Sequence, residues 1–149
     1  MKKLICKLVA KMVDFVEERS WVYTSKVGKL GNQYYVYNKA HFLDVESSLS
    51  VRPFGFVKLG LYVPVITINS RYERLFTKEE MEFAIYHELG HCKYNHFKTK
   101  GRHIEFEIEA DIFAMNKVGK DVALSALNKL NDEGRSAELI TRIYECTNN

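Results

Sequence analysis

Residues 77–97 read TKEEMEFAIYHELGHCKYNHF, and the organisation of the chain can be worked out from this stretch. Thr77 with Glu80 three residues later is a capping-box signature, in which each side chain satisfies the other's backbone N–H at a helix start. The spacing predicts a helix from there to about His96 or Phe97. On that helix His87 and His91 lie one turn apart on the same face, so both imidazoles can reach one ion. Zinc accepts neutral imidazole nitrogen and carboxylate oxygen, and its catalytic sites commonly use three protein ligands plus water. Glu88 is one position round the helix, placed to take a proton from water at such an ion. Gly90 removes a side chain where a neighbouring element has to come close.

A metal site of this kind needs a third donor, and the next segment is rich in carboxylates. A helix over about Ile104 to Val118, stopped by Gly119, carries Glu105, Glu107, Glu109 and Asp111. Glu107 and Asp111 share a face. One of them can bind the metal while the other accepts a hydrogen bond from a ligand histidine's second nitrogen, which fixes that ring's tautomer. Glu105 and Glu109 form a second pair rotated about 160–200° away and are assigned to solvent. His96, about 140° off the metal face, reads as a histidine interacting with the helix C-terminus. Cys92 reads as a small buried residue, and His41, in an expected loop, receives no role. Further helices fit Val122 to Leu130 and, with Ser136 as N-cap, Ala137 to Cys146.

Upstream, the texture is different. Leu4, Ile5, Leu8, Val9, Met12, Val13 and Val16 recur at three- and four-residue spacing, which predicts an amphipathic helix packed on the domain. From Trp21 to Asn69 aromatic and β-branched residues dominate. A hairpin is expected between Trp21–Tyr23 and Tyr34–Tyr37, with Gly28 to Asn32 as its turn. Phe54 to Leu61 and Tyr62 to Asn69 continue the pattern, with Pro53 and Pro64 marking edge or irregular positions. The expected architecture is α+β in one domain over 1–149: an N-terminal helix, a small antiparallel or mixed sheet, the HExxH helix, a glutamate helix and C-terminal helices.

Composition narrows the function classes. A net charge of +3, from 22 basic and 19 acidic residues, is too small and too evenly spread to predict nucleic-acid binding. Cys6, Cys92 and Cys146 are an odd set without CxxC spacing, which predicts reduced thiols and a cytoplasmic location. Lys7, Lys11, Asp14, Glu17 and Glu18 interrupt the first apolar segment, so it does not read as a signal peptide. No stretch approaches the roughly 20 apolar residues of a membrane span.

His87-Glu88-Leu89-Gly90-His91 followed by Glu107-Ile108-Glu109-Ala110-Asp111 resembles the gluzincin pattern, HExxH with a downstream ExxxD. Within that group it looks most like peptidases of the HtpX and CAAX-prenyl-protease type. Pro64 to Asn69 ahead of the metal helix, and Ala110-Asp111-Ile112-Phe113-Ala114 with Val118-Gly119-Lys120 beyond, agree with it. The likeness spans about Pro64 to Leu130. It implies a zincin-like domain, with His87, His91 and Glu107 as zinc ligands, Glu88 as general base and Asp111 hydrogen-bonded behind a ligand. The implied activity is zinc-dependent hydrolysis of peptides or proteins, with an extended substrate added to the strand at Val65 to Asn69. Tyr86, His96, His103, Arg142 and Tyr144 are the candidates for stabilising the oxyanion. Without membrane spans the chain resembles the soluble minigluzincins, which can be held latent by a terminal segment lying over the cleft. The repressor-cleaving ImmA/IrrE metallopeptidases share HELGH and Phe113-Ala114. A non-catalytic zinc-binding protein on the same fold is the remaining alternative.

Overall fold

The computed structural model describes residues 1–17, 23–40, 49–56, 59–101, 103–134 and 136–149. The chain is α+β, with four strands and six α-helices among the described residues. It divides into two compact units, Met1–Tyr72 and Glu73–Asn149. Trp21, Val22 and His41 lie outside the described residues.

The first unit is a helix on a sheet. Helix α1 (Lys2–Glu17) is followed by β1 (Tyr23–Leu30), β2 (Gln33–Ala40), β3 (Leu49–Phe56) and β4 (Leu61–Asn69), in the sheet order β1-β2-β4-β3. The sheet is mixed: β2 runs parallel to β4, and the outer pairs are antiparallel. The β1–β2 turn is only Gly31-Asn32, with Gly31 at φ 53, a conformation in which glycine meets little steric penalty. Gly28, expected in the turn, instead lies inside β1, where a Cβ would stand 2.2 Å from the Tyr35 ring. The absent side chain makes room for that tyrosine across the strand pair.

Strand β4 is interior, which corrects two expectations. Pro64 is not at an edge. It faces Pro53 across the β3 ladder, and β2 begins to pair only at Val65, so the two missing N–H groups fall at one position. Residues Val65 to Ile68 are paired on both sides and offer no free edge for an extended peptide. The edges of the sheet are β1 and β3. The core of the unit packs Cys6, Val9 and Ala10 of α1 on Val36, Val63 and Val65. The expected apolar stripe of α1 is only partly used: Val9 is buried, but Leu4, Ile5, Leu8 and Met12 are exposed.

Helix α2 (Ser70–Leu75) crosses the boundary between the units. The second unit is helical: α3 (Lys78–Lys93), a 3-10 turn at His96–Lys98, α4 (Ile104–Val118), α5 (Lys120–Glu133) and α6 (Ala137–Asn148). The capping box at Thr77 is present, with Thr77 Oγ1 accepting from Glu80 N–H at 3.3 Å and Glu80 Oε2 accepting from Thr77 N–H at 2.8 Å. α4 ends at Gly119 as the sequence predicts, and Ser136 caps α6 by accepting from Leu139 N–H. Fully buried Ala110, Ala114, Ala123, Ala126 and Leu127 let α4 and α5 pack closely within the bundle.

Glu80 does more than cap. Ser125 Oγ donates to its Oε1 at 2.6 Å and Lys129 Nζ to its Oε2 at 2.7 Å, tying the start of α3 to α5. Burial opposes its charge, but the bonds from Lys129, Ser125 and Thr77 win and hold its pKa below the ordinary glutamate value. A lowered folded-state pKa means this stabilisation is complete above about pH 4.3 and is lost as pH falls through the folded value. Glu80→Ala is expected to remove about 2–3 kcal/mol of stability at neutral pH, read by urea denaturation. The deficit should shrink in acid, where the parent loses the same interactions.

Candidate metal centre

The metal helix α3 is shorter than its sequence suggests. It stops at Lys93, Tyr94 caps it, and Asn95 takes the left-handed conformation at φ 55 before the 3-10 turn. Asparagine is among the few non-glycine residues that adopt this backbone readily. The break reverses the chain and carries His96 back to His91, with the two Nδ1 atoms 2.8 Å apart.

Helices α3 and α4 meet where Gly90 faces Ala110. A Cβ on Gly90 would lie 3.2 Å from Ala110 Cα and 3.1 Å from the Phe113 ring, so glycine sets this approach. It brings His87, His91 and Glu107 together, with one donor atom from each lying within 4.8 Å of the others. His87 Nε2 and His91 Nε2 are 3.0 Å apart. Glu107 Oε2 is 3.4 Å from His87 Nε2, and Glu107 Oε1 is 3.6 Å from His91 Nε2. Metal–ligand bonds of about 2.0–2.1 Å at a tetrahedral angle place donor atoms about 3.3–3.4 Å apart. The observed spacings bracket that value, so this donor set fits a single small divalent ion.

Hydrogen bonds behind the two rings determine which nitrogen faces the cluster. Asp111, fully buried, accepts from His87 Nδ1 at 2.7 Å. That bond leaves the lone pair of His87 on Nε2. Behind His91 there is a two-step chain. His96 Nε2 lies 2.7 Å from Glu109 Oε2, so Nε2–H donates to the carboxylate and, in the neutral ring, Nδ1 is an acceptor. His91 Nδ1 then donates to His96, and the His91 lone pair is likewise on Nε2. Two lone pairs meeting at 3.0 Å repel unless a proton or a metal ion stands between them.

The charges agree with that picture. Burial would push the His87 pKa down, but the Asp111 carboxylate and the bonds to Asp111 and Glu107 raise it to about 9. His91 is pushed down to about 4, by burial first and then by the charge on His87. Glu107 is lowered to about 2: the bond from His87 and the charges of His87, Arg142 and His91 outweigh its burial. Among these groups one ring carries positive charge and the other is neutral, beside an ionised carboxylate.

Arg142, from α6, completes the cluster. Its Nε donates to Asp111 Oδ2 at 2.6 Å and its Nη2 to Asp111 Oδ1 at 2.8 Å, while Nη1 is 3.3 Å from Glu107 Oε2. One guanidinium thus contacts both the Glu107 carboxylate and the carboxylate behind His87, and is not a free donor for an oxyanion. Of the other oxyanion candidates, His96 lies behind His91. His103 rests its Nε2 on Lys100 O at 3.2 Å, Tyr144 is exposed, and Tyr86 packs edge-on to Phe113. Through this buried arginine α6 contributes to the cluster.

Glu88 is buried on α3. Cys92, one turn on, has its thiol pushed up to about 12, by burial first and then by the Glu88 charge. It is an inert buried residue, as its sequence context predicts. Cys6 and Cys146 are free and buried as well.

His96 and Glu109 are the positioning residues that sequence reasoning missed. The signal for them was Asn95, a residue suited to ending the helix before His96. His96 is held flat against Phe106 at a 4.4 Å centroid distance and 8° between planes, which together with the Glu109 bond fixes its orientation. His96→Ala is expected to weaken metal binding by about 10–100-fold, as loss of such outer partners does elsewhere. Glu109→Gln should weaken it less, because Glu109 is half exposed. Competition against a chromophoric chelator reads both.

Comparison of the chain with protein-family models, with characterised proteins and with solved structures gives no match.

Proposed function

We propose that this chain is a zinc-dependent endopeptidase with a zincin-like domain of the gluzincin type. The observation that carries the reading is the convergence of His87 Nε2, His91 Nε2 and a Glu107 oxygen at ligand spacing, from two helices. Two imidazoles and one carboxylate form the donor set of catalytic zinc, which keeps a position for water or substrate, whereas structural sites use four protein ligands. Among the described residues the cluster has three. Glu88 next to His87 supports catalysis further, since a structural site has no use for a base there.

A bound zinc ion would supply Lewis acidity toward water and the scissile carbonyl. His87, His91 and Glu107 would hold it, and Asp111, Arg142, His96 and Glu109 fix the directions of those three side chains. Glu88 accepts a proton from the attacking water and passes it to the departing amine. No edge of β4 is available to the substrate, so it is bound by other groups than the β4 ladder.

The test combines metal analysis of the purified chain with mass-spectrometric digestion of a peptide library, on the parent and on Glu88→Gln. Near-stoichiometric zinc with cleavage by the parent alone supports the proposal. Absence of any bound transition metal after loading, or equal cleavage by both proteins, overturns it.

A further inference from the structure

The first unit carries apolar side chains that its own core does not use. On α1, Leu4, Leu8 and Met12 are 62%, 56% and 52% exposed, and their four-residue spacing makes them one stripe along the helix. Lys3, Lys7 and Lys11, all exposed, form a parallel row beside it. No acidic residue precedes Asp14, and that carboxylate accepts from Ser25 N–H at 2.9 Å.

The sheet carries exposed apolar residues as well. Arg52 pairs with Val65, Phe54 with Val63 and Phe56 with Leu61, and directly paired residues share a face. Val63 and Val65 lie in the core under α1. Arg52, Phe54, Phe56 and Leu61 therefore point to the side of the sheet on which α1 packs. Among the described residues α1 packs mainly on β1 and β2. Phe56 and Leu61 are 71% and 67% exposed. Charge is divided in the same sense. Residues 1–72 hold eleven Lys and Arg against five Asp and Glu, and residues 73–149 hold eleven against fourteen.

We infer that this face of the first unit docks on an anionic lipid bilayer. An amphipathic helix with an apolar stripe and flanking lysines lies in the interface plane, its apolar residues in the headgroup–acyl boundary and its lysines at lipid phosphates. No described helix is long and apolar enough to cross a membrane, which is consistent with lying on one. A second copy fits the face less well, because an isologous contact would set one lysine row against the other. A nucleic acid would use the lysines but leave Leu4, Leu8 and Phe56 in water. The inference does not depend on the metal centre, whose residues all belong to the second unit.

Cosedimentation of the full chain with phosphatidylcholine vesicles, with and without phosphatidylglycerol, tests it. Binding is expected only to the anionic vesicles and should fall with rising salt. Each Lys→Gln change at Lys3, Lys7 or Lys11 should lower partitioning about five-fold. Leu4→Glu with Leu8→Glu should abolish it, and Phe56→Ser on the sheet should weaken it. Circular dichroism should show these exposed substitutions still folded. Three results would overturn the inference: no binding to anionic vesicles at low salt, binding unchanged by the leucine substitutions, or a dimer in light scattering that the same substitutions dissolve. The last would assign the face to a second copy.

Discussion

Glu88→Gln is expected to lower peptide hydrolysis by about 10²–10⁴-fold while leaving zinc bound at parental stoichiometry. That loss corresponds to about 3–5 kcal/mol of transition-state stabilisation. The substitution preserves shape at a position that is buried on α3, so the helix and its neighbours are expected to keep their packing. It removes the basicity that proton transfer needs and nothing from the donor set, which consists of His87, His91 and Glu107. The deficit should therefore appear in kcat, with KM little changed, as for a group that acts only in the transition state. Glu107→Gln is the necessary contrast. It removes an ionised ligand, so metal and activity should be lost together. If Glu88→Gln also loses zinc, the residue supports the site structurally and the general-base assignment is wrong. If it turns over at the parental rate, proton transfer uses another group.

The meeting of His87, His91 and Glu107 was legible because helical geometry is local. Four-residue spacing places His87 and His91 on one face, the same spacing pairs Glu107 with Asp111, and Gly90 between the histidines marks the close approach that Ala110 occupies. Helix ends with side-chain or glycine signals were also legible, as at Thr77, Gly119 and Ser136. What could not be read depended on contacts distant in sequence or on small backbone choices. The end of α3 at Lys93 turns on one residue, Asn95, and moves His96 from a helix terminus to a position behind His91. The interior position of β4 depends on its pairing with β2, which alternation along the strand does not encode. In α1 the apolar residues are more numerous than one packed face needs, so periodicity alone does not say which of them the core takes.

Arg142 was read only as a candidate to stabilise an oxyanion; its pairing with Asp111 was not legible for the same reason, since 31 residues separate the two. Its only mark in the sequence is a cation on the helix face that carries Leu139 and Cys146. Arg142→Ala is expected to destabilise the second unit by about 3–5 kcal/mol, because it leaves the fully buried Asp111 without its two guanidinium bonds. His87 remains beside Asp111 but donates a single hydrogen bond, which cannot replace a planar fork. Arg142→Lys should fall between parent and alanine variant, since an ammonium restores charge but not bidentate geometry. Stability and metal binding separate in the double variant Arg142→Met with Asp111→Leu. Replacing both partners by apolar groups removes the unpaired charge, so most of the lost stability should return. Metal affinity should not return, because His87 Nδ1 then has no carboxylate to hold its tautomer, and a deficit of about 10–100-fold should persist. Urea denaturation and chelator competition on the same preparations measure the two quantities. An alanine variant as stable as the parent would show that the guanidinium does not hold Asp111. A double variant with parental metal affinity would show that the buried carboxylate does not position His87.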